Sequence, residues 1–262
     1  MKTSTFLPFL PALASANVGV YWFLNDNSPK DGFTEINFPM NVSDTPRETN
    51  YYFAQQFGFD NASMGYTGLQ PRADKNGAQY IRAVFSSFED NATSTDEQCS
   101  SGADGGGGVS CGIELYAPYN HPYVLNVKKE KGSRKWKGTL VDEKLGNTTH
   151  IGSYTMPDFA GNIKDSYLGF VEYYAGSTER NDNCDLPVTS VTFGKPSSPN
   201  KNEEGKTSHG KLNGPYAYGP CTKIVPFKKE KSGDGGWYIK YGGGGGKKGS
   251  GKQDKRHEHF HA

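Results

Sequence analysis

Residues 48–88 read ETNYYFAQQFGFDNASMGYTGLQPRADKNGAQYIRAVFSSF. Three aromatic, β-prone runs, at 51–59, 65–72 and 79–88, are separated by Asn, Asp and Gly clusters. This pattern predicts strand, turn, strand, turn, strand: an antiparallel meander. Side chains alternate between the two faces of a strand. In the first run Tyr51, Phe53, Gln55 and Phe57 share one side, and Tyr52, Ala54 and Gln56 the other. In the third, Ile81, Ala83 and Phe85 form an apolar side, while Tyr80, Arg82, Val84 and Ser86 point the opposite way. Polar groups interleaved with tyrosines are what a sheet face offers a ligand. They are also what any solvated sheet face looks like.

Working outward, the run at 17–24 alternates through Val18, Val20 and Trp22, and the run at 33–42 puts Ile36 and Phe38 on one face. Further runs at 111–116, 123–129, 135–142, 148–155, 169–175 and 188–193 bring the expectation to about eleven strands, with hairpin turns at 131–134 and 143–146 and Trp136 as a core residue. The chain holds 34 glycines in 262 residues. Each glycine inside a helix costs about 1 kcal/mol relative to alanine, so this count favours sheets with long loops. The expected fold is all-β: a β-sandwich or jelly-roll-like pair of antiparallel sheets with long Gly-rich loops.

The first residues, MKTSTFLPFLPALASA, combine one lysine, a short apolar stretch and small residues at Ala14 and Ala16. That is the pattern of a secretory signal peptide over 1–16, with the domain over 17–227 and Asn17 as the first mature residue. The apolar stretch is too short to span a bilayer, so no membrane insertion is expected. Residues 197–213 are polar and lysine-rich and read as mobile, and 214–227 as a last strand. Residues 228–262 read as a Gly/Lys/His-rich disordered tail, interrupted only by the cluster Trp237-Tyr-Ile. Within that tail His257, His259 and His261 are read as solvated, so neither a metal nor another cofactor is expected.

A secreted address suits the four cysteines, Cys99, Cys111, Cys184 and Cys221, since disulfides persist in oxidising compartments. Of three connectivities the sequential pairing is favoured, each bridge bracketing one loop-rich segment and contributing roughly 3 and 4 kcal/mol by loop entropy. Four Asn-x-Ser/Thr sequons, at Asn41, Asn61, Asn91 and Asn147, fit a glycoprotein. Net charge is +1, so no global field directs the chain to nucleic acid. The Gly-rich loop at 90–110 contains Asp104 and Gly105–108 but opens no helix and ends in no Lys-Ser or Lys-Thr. It reads as a disulfide-tethered surface loop and not as a phosphate cradle.

Several phrases together resemble a family of secreted all-β proteins known as domain of unknown function 3472. They are Tyr51-Tyr-Phe-Ala, Gly65-Tyr-Thr-Gly-Leu-Gln70, Ala83-Val-Phe-Ser-Ser, Trp136-Lys-Gly, Ile151-Gly, Phe170-Val-Glu-Tyr-Tyr174 and Cys184-Asp-Leu-Pro. The similarity spans residues 18–227. It implies a fold and an extracellular address more than an activity, with some weight towards a sugar-associated module.

Three functions follow as expectations. The first is carbohydrate binding, polysaccharide or glycoprotein glycan, through Tyr66, Gln70, Arg72, Tyr80, Arg82, Glu172, Tyr173 and Tyr174, because sugar sites pair aromatic faces with a few fixed polar groups. Glu172 is there either a ligand contact or a buried partner of a group such as Arg82. The second is a polysaccharide-degrading enzyme. A hydrolase would use Glu172 and Glu114, the two acids placed inside strands. A lyase would use His121, Tyr123 and Arg82. The third is a structural role in extracellular matrix through the surface and the basic tail.

Overall fold

The structure is a computed structural model and describes residues 16–24, 26–174, 184–219 and 221–243. In chain order the strands are β1 (Ala16–Phe23), β2 (Glu35–Asn41), β3 (Tyr51–Phe57), β4 (Gly65–Pro71), β5 (Tyr80–Ser87) and β6 (Cys99–Ser101). Next come β7 (Val109–Tyr116), β8 (Pro122–Lys129), β9 (Lys135–Asp142), β10 (Asn147–Thr155), β11 (Ser166–Tyr173) and β12 (Thr189–Phe193). The last are β13 (Ser197–Lys201), β14 (Thr207–His209), β15 (Lys211–Leu212), β16 (Tyr216–Ala217), β17 (Phe227–Lys231) and β18 (Trp237–Tyr241). No helix occurs among the described residues.

Two antiparallel sheets form. The first runs β15-β1-β11-β3-β4-β5-β7-β6, with β16 also on β1. The second runs β10-β9-β8-β2-β12-β18-β17, with β13 and β14 attached at β2. They pack face to face as a β-sandwich, as the strand pattern predicted. The meander of the opening stretch is β3-β4-β5, at the centre of the first sheet. Its inward residues, Tyr51, Phe53, Phe57, Ile81, Ala83 and Phe85, are core, in agreement with the alternation.

Aromatic pairs tie the two sheets together. Trp22 meets Phe38 edge-on at 5.3 Å, and Phe85 stacks on Tyr154 at 4.5 Å. Trp136 is buried against Phe59. Such contacts add about 0.5–1.5 kcal/mol each beyond the area they bury. Gln55 also points inward, and neither polar atom of its amide has a partner among the described residues. Both bridges form as expected, Cys99–Cys111 across β6 and β7, and Cys184–Cys221.

Two expectations differ. Residues 197–213 are not a mobile segment. They form β13, β14 and β15, because buried Ser198 and Ser208 satisfy the carbonyls of Glu35 and Asn27 at 2.6 and 2.9 Å, and β15 lies along the edge of β1. The disordered tail expected from 228 onward does not begin there either. β17 and β18 complete the second sheet, with Ile239 and Tyr241 fully buried beside β12. Glycine and lysine content obscured a period-2 pattern at Trp237, Ile239 and Tyr241. Residues 1–15 and 244–262, with most of the expected signal peptide and the three tail histidines, lie outside the described residues.

The sheets approach closely at Gly138 of β9, where an added Cβ would stand 2.4 Å from the Phe85 ring. Overpacking of this kind costs typically 1–3 kcal/mol. Gly138→Ala is therefore expected to lower the urea midpoint clearly. Gly146→Asn, at a positive-φ turn with open space, should leave it nearly unchanged. Equal midpoints for the two variants would contradict this packing.

Candidate functional site

The first sheet turns one face to the core. Its other face is also largely covered, by short segments and not by the second sheet. On that outer face β3 and β11 present Tyr52, Ala54, Phe170 and Glu172, β4 presents Tyr66, Gly68 and Gln70, and β5 presents Arg82 and Val84. Tyr52, Tyr66, Phe170 and Val84 make a second apolar cluster, separate from the main core. Their rings meet edge to face, Tyr52 at 5.3 Å from Tyr66 and 5.6 Å from Phe170. Gly68 is required beneath Tyr52, since a Cβ there would lie 2.7 Å from the ring and 2.1 Å from the Phe53 carbonyl oxygen.

One cross-strand row carries the polar groups. Glu172 lies opposite Tyr52, and Gln70 lies opposite Arg82, which in turn lies opposite Glu114. One step beyond the Phe53–Leu69 pair brings Tyr52 opposite Gln70, so the row is continuous. Two segments rise at its sides. The Gly-rich loop at 102–108 places the Asp104 carboxylate on the Tyr66 hydroxyl, at 3.1 and 3.2 Å. The segment through β16 lays the Tyr216 ring on Gly19 and stacks it on Tyr21, with centroids 5.9 Å apart. It also brings the Tyr218 hydroxyl into the field of Glu172. Along the same face lies a cavity of about 750 Å³ lined by Tyr21, Phe23, Gln56, Met64, Tyr167 and Leu168 among others.

Glu172 is the unusual group. It is 7% exposed, yet no described residue hydrogen-bonds or ion-pairs with its carboxyl. Burial, and secondarily the negative charge of Asp104, push its pKa up to about 7. Arg82 is half-buried and has no ion-pair partner among the described residues; its guanidinium lies over Gly112. The Tyr52 hydroxyl is buried without a partner, and burial holds its pKa well above the ordinary value. Tyr218 is raised to about 12, by burial first and then by Glu172.

A second set of polar groups on this face is fully engaged. Arg72 donates to Gln70 Oε1 at 2.7 Å, to Glu114 Oε2 at 3.2 Å and to the Tyr174 hydroxyl at 3.1 Å. Lys75 also binds Glu114, and its hydrogen bond is the main cause holding that carboxyl below its usual range.

The expected site residues are thus placed as follows. Gln70, Arg72, Arg82, Glu172 and Tyr174 share the outer face, with Tyr80 at its far end under Lys75. Tyr66 is on the face, but its ring is buried and offers a ligand no stacking surface. Tyr173 points inward and packs on Tyr51 at 5.0 Å. Of the two alternatives for Glu172, the ion pair with Arg82 does not form; the two lie three strands apart. Glu114 is four strand spacings from Glu172, about 19 Å, which is too far for the paired carboxylates of a glycosidase. Tyr123 lies on β8 of the second sheet, and His121 immediately precedes that strand. There His121 bonds Asp142 at 2.7 Å and Tyr123 donates to the Pro118 carbonyl at 2.9 Å, so no lyase set assembles around Arg82. Of the sequons, Asn61, Asn91 and Asn147 are exposed and Asn41 is half-buried. Among the described residues no cluster of three His, Cys, Asp or Glu is placed to hold a metal. Sequence reading missed Tyr21, Tyr52, Asp104, Tyr216 and Tyr218. Only the alternation at Tyr52, on the same side as Ala54 and Gln56, could have signalled one of them.

No established family profile matches the chain, and no curated protein matches it. Among solved structures it is similar to scytalido-glutamic peptidase with a transition state analog inhibitor, at 12% identity over 87% of this chain and 98% of that one, with a TM-score of 0.47. A second structure of that peptidase, with a peptide-based transition state analog, gives 10% identity over 86% and 98%, with a TM-score of 0.47. SCP-B, a member of the eqolisin family of peptidases, in a complex with the tripeptide Ala-Ile-His, gives 11% identity over 87% and 98%, with a TM-score of 0.44. Likenesses this distant assign no chemistry to the row around Glu172.

The raised Glu172 has a measurable consequence for stability. In the unfolded chain it ionises near its ordinary 4.5, and in the folded protein near 7. Below pH 4.5 both states carry the neutral acid and the group is without effect. Between 4.5 and 7 the unfolded state ionises first, so stability falls, and above 7 the loss is complete. The shift corresponds to about 3 kcal/mol. In the chain with Ala16 still joined to Asn17, the stability of Glu172→Gln relative to the unsubstituted chain is therefore expected to rise by about that amount between pH 4 and pH 8. Urea unfolding at both pH values measures it, and a constant difference would rule out the burial-driven shift.

Proposed function

We propose that the outer face of the first sheet is a carbohydrate-binding surface of a secreted glycoprotein. The observation that carries this reading is the partnerless Glu172 carboxyl standing on the same face as the partnerless Arg82 guanidinium and Tyr52 hydroxyl. Glu172 and Tyr52 are buried and Arg82 is half-buried, and such groups lower the free energy when a ligand supplies their missing hydrogen bonds. A carboxyl near pH 7 can donate to one sugar hydroxyl or accept from another, and Arg82 can bridge two oxygens. Tyr21 and Tyr216, 45% and 36% exposed, offer aromatic surface to sugar C–H groups at one end of the row. The extracellular address is supported by the two disulfides and by the absence, among the described residues, of a helix long and apolar enough to cross a membrane.

A second reading, polysaccharide cleavage, is favoured by one further observation. Burial raises the pKa of the Glu172 carboxyl, and the charge of Asp104 acts on it in the same direction. A protonated carboxyl beside a charged one is the arrangement that acid-assisted glycosidic cleavage uses. In this reading Glu172 protonates the leaving oxygen and Asp104 replaces Glu114 as the second acid.

A panel of plant, fungal and animal polysaccharides in affinity electrophoresis tests both. Retention by at least one polymer is expected, weakened tenfold or more by Arg82→Ala and by Tyr21→Ala with Tyr216→Ala. Lys231→Ala, on the second sheet, should not matter. Absence of retention on every polymer would remove the binding reading. For cleavage, product release between pH 5 and 8 should vanish in Glu172→Gln while retention persists; retention without release leaves a binding module.

A further inference from the structure

Among the described residues no cationic side chain pairs with Glu172. Arg82 stands beyond β3 and β4. β1 begins at Ala16, directly opposite Glu172, and the register slips between Ala16 and Val18. Asn17 is thus the extra residue of a bulge. It is buried and pinned on both flanks. Its Oδ1 accepts from the Tyr173 backbone N–H at 3.0 Å, and its carbonyl accepts from the Tyr218 N–H at 3.0 Å. Opposed Cα atoms in an antiparallel pair are about 4.5–5.5 Å apart. The backbone nitrogen of Asn17 therefore stands about one such spacing from the Glu172 backbone.

The small-residue pattern ending at Ala16 places leader removal at this same point. Hydrolysis there breaks the Ala16–Asn17 amide with one water. Ala16 leaves with the new carboxylate, and the Asn17 nitrogen becomes an amine that takes up a proton. We infer that the α-ammonium group of Asn17, created by leader removal, is the charge partner of Glu172 in the mature protein. This rests on the secreted reading above and not on the identity of any ligand. The other groups facing Glu172 are the Tyr52 hydroxyl from β3, the Tyr66 hydroxyl from β4, the Tyr218 hydroxyl from the segment through β16, and Asp104 from the Gly-rich loop. None of them supplies a cation. Before processing the Asn17 nitrogen is an uncharged amide, so the same carboxyl changes its electrostatic partner when the leader is lost.

The test compares the secreted protein, its N-terminus read by intact mass, with a chain carrying Gly-Ser ahead of Asn17 and with the Nα-acetylated Asn17 chain. The Glu172 carboxyl is titrated by carbon-13 NMR in each, with Glu172→Gln assigning the signal. An ammonium beside a carboxylate favours the charged form of both. In the free-amine chain Glu172 should therefore hold its charge to at least tenfold higher proton concentration than in the two blocked chains. Its α-amino group should titrate above its ordinary value of about 8. Identical Glu172 midpoints in all three chains, or a secreted protein that begins at another residue, would overturn the inference. No ligand enters these readouts, so a failure of carbohydrate binding leaves them interpretable.

Discussion

A central strand has two faces, and only one of them can pack against the partner sheet. That constraint shapes the rest of this molecule. In β3 the residues Tyr51, Phe53 and Phe57 enter the sandwich core, while Tyr52 and Ala54 on the opposite face are buried almost as completely. The second sheet cannot reach them. Their cover comes from the loop holding Asp104 and from the segment that pairs with the free edge of β1. That segment also removes an exposed edge, which a bare β1 would present as a template for unwanted pairing. The same few residues thus close the edge, wall the outer face and deliver Tyr216 and Tyr218 to it.

The polar groups on that face fall into two kinds, and the contrast is informative. Around Arg72, Gln70 Oε1, Glu114 and the Tyr174 hydroxyl all find partners, so this end acts as a rigid brace with its electrostatic capacity used up. Around Glu172 the capacity is unspent. Its buried carboxyl, the half-buried Arg82 guanidinium and the buried Tyr52 hydroxyl each lack a partner among the described residues. A buried unpaired polar group costs about 1–3 kcal/mol and persists only where the surrounding packing holds it. Here the T-shaped cluster of Tyr52, Tyr66 and Phe170 supplies that hold.

Much of the fold was legible because alternation is a local property. Val18, Val20 and Trp22, or Ile81, Ala83 and Phe85, declare their common face from spacing alone. The same rule put Tyr52 and Arg82 on faces that the structure joins. It did not prevent Tyr173, a neighbour of Glu172 in sequence, from being grouped with it, although odd and even positions of β11 diverge. It was also outweighed by composition in residues 228–241, where glycine and lysine hid the alternation of Trp237, Ile239 and Tyr241.

The chain's own letters determined an all-β molecule and which side of each central strand is apolar, and favoured the sequential pairing of the cysteines. These follow from period, turn chemistry and loop length, all short-range. Tertiary structure alone decided that Glu172 has no ion-pair partner among the described residues, that Glu114 is bound elsewhere, and that Asp104 and Tyr218 come to the side of Glu172. Those facts depend on strand order and on register between segments more than a hundred residues apart in places, as between β3 and β11. Distances of that kind leave no trace in local pattern.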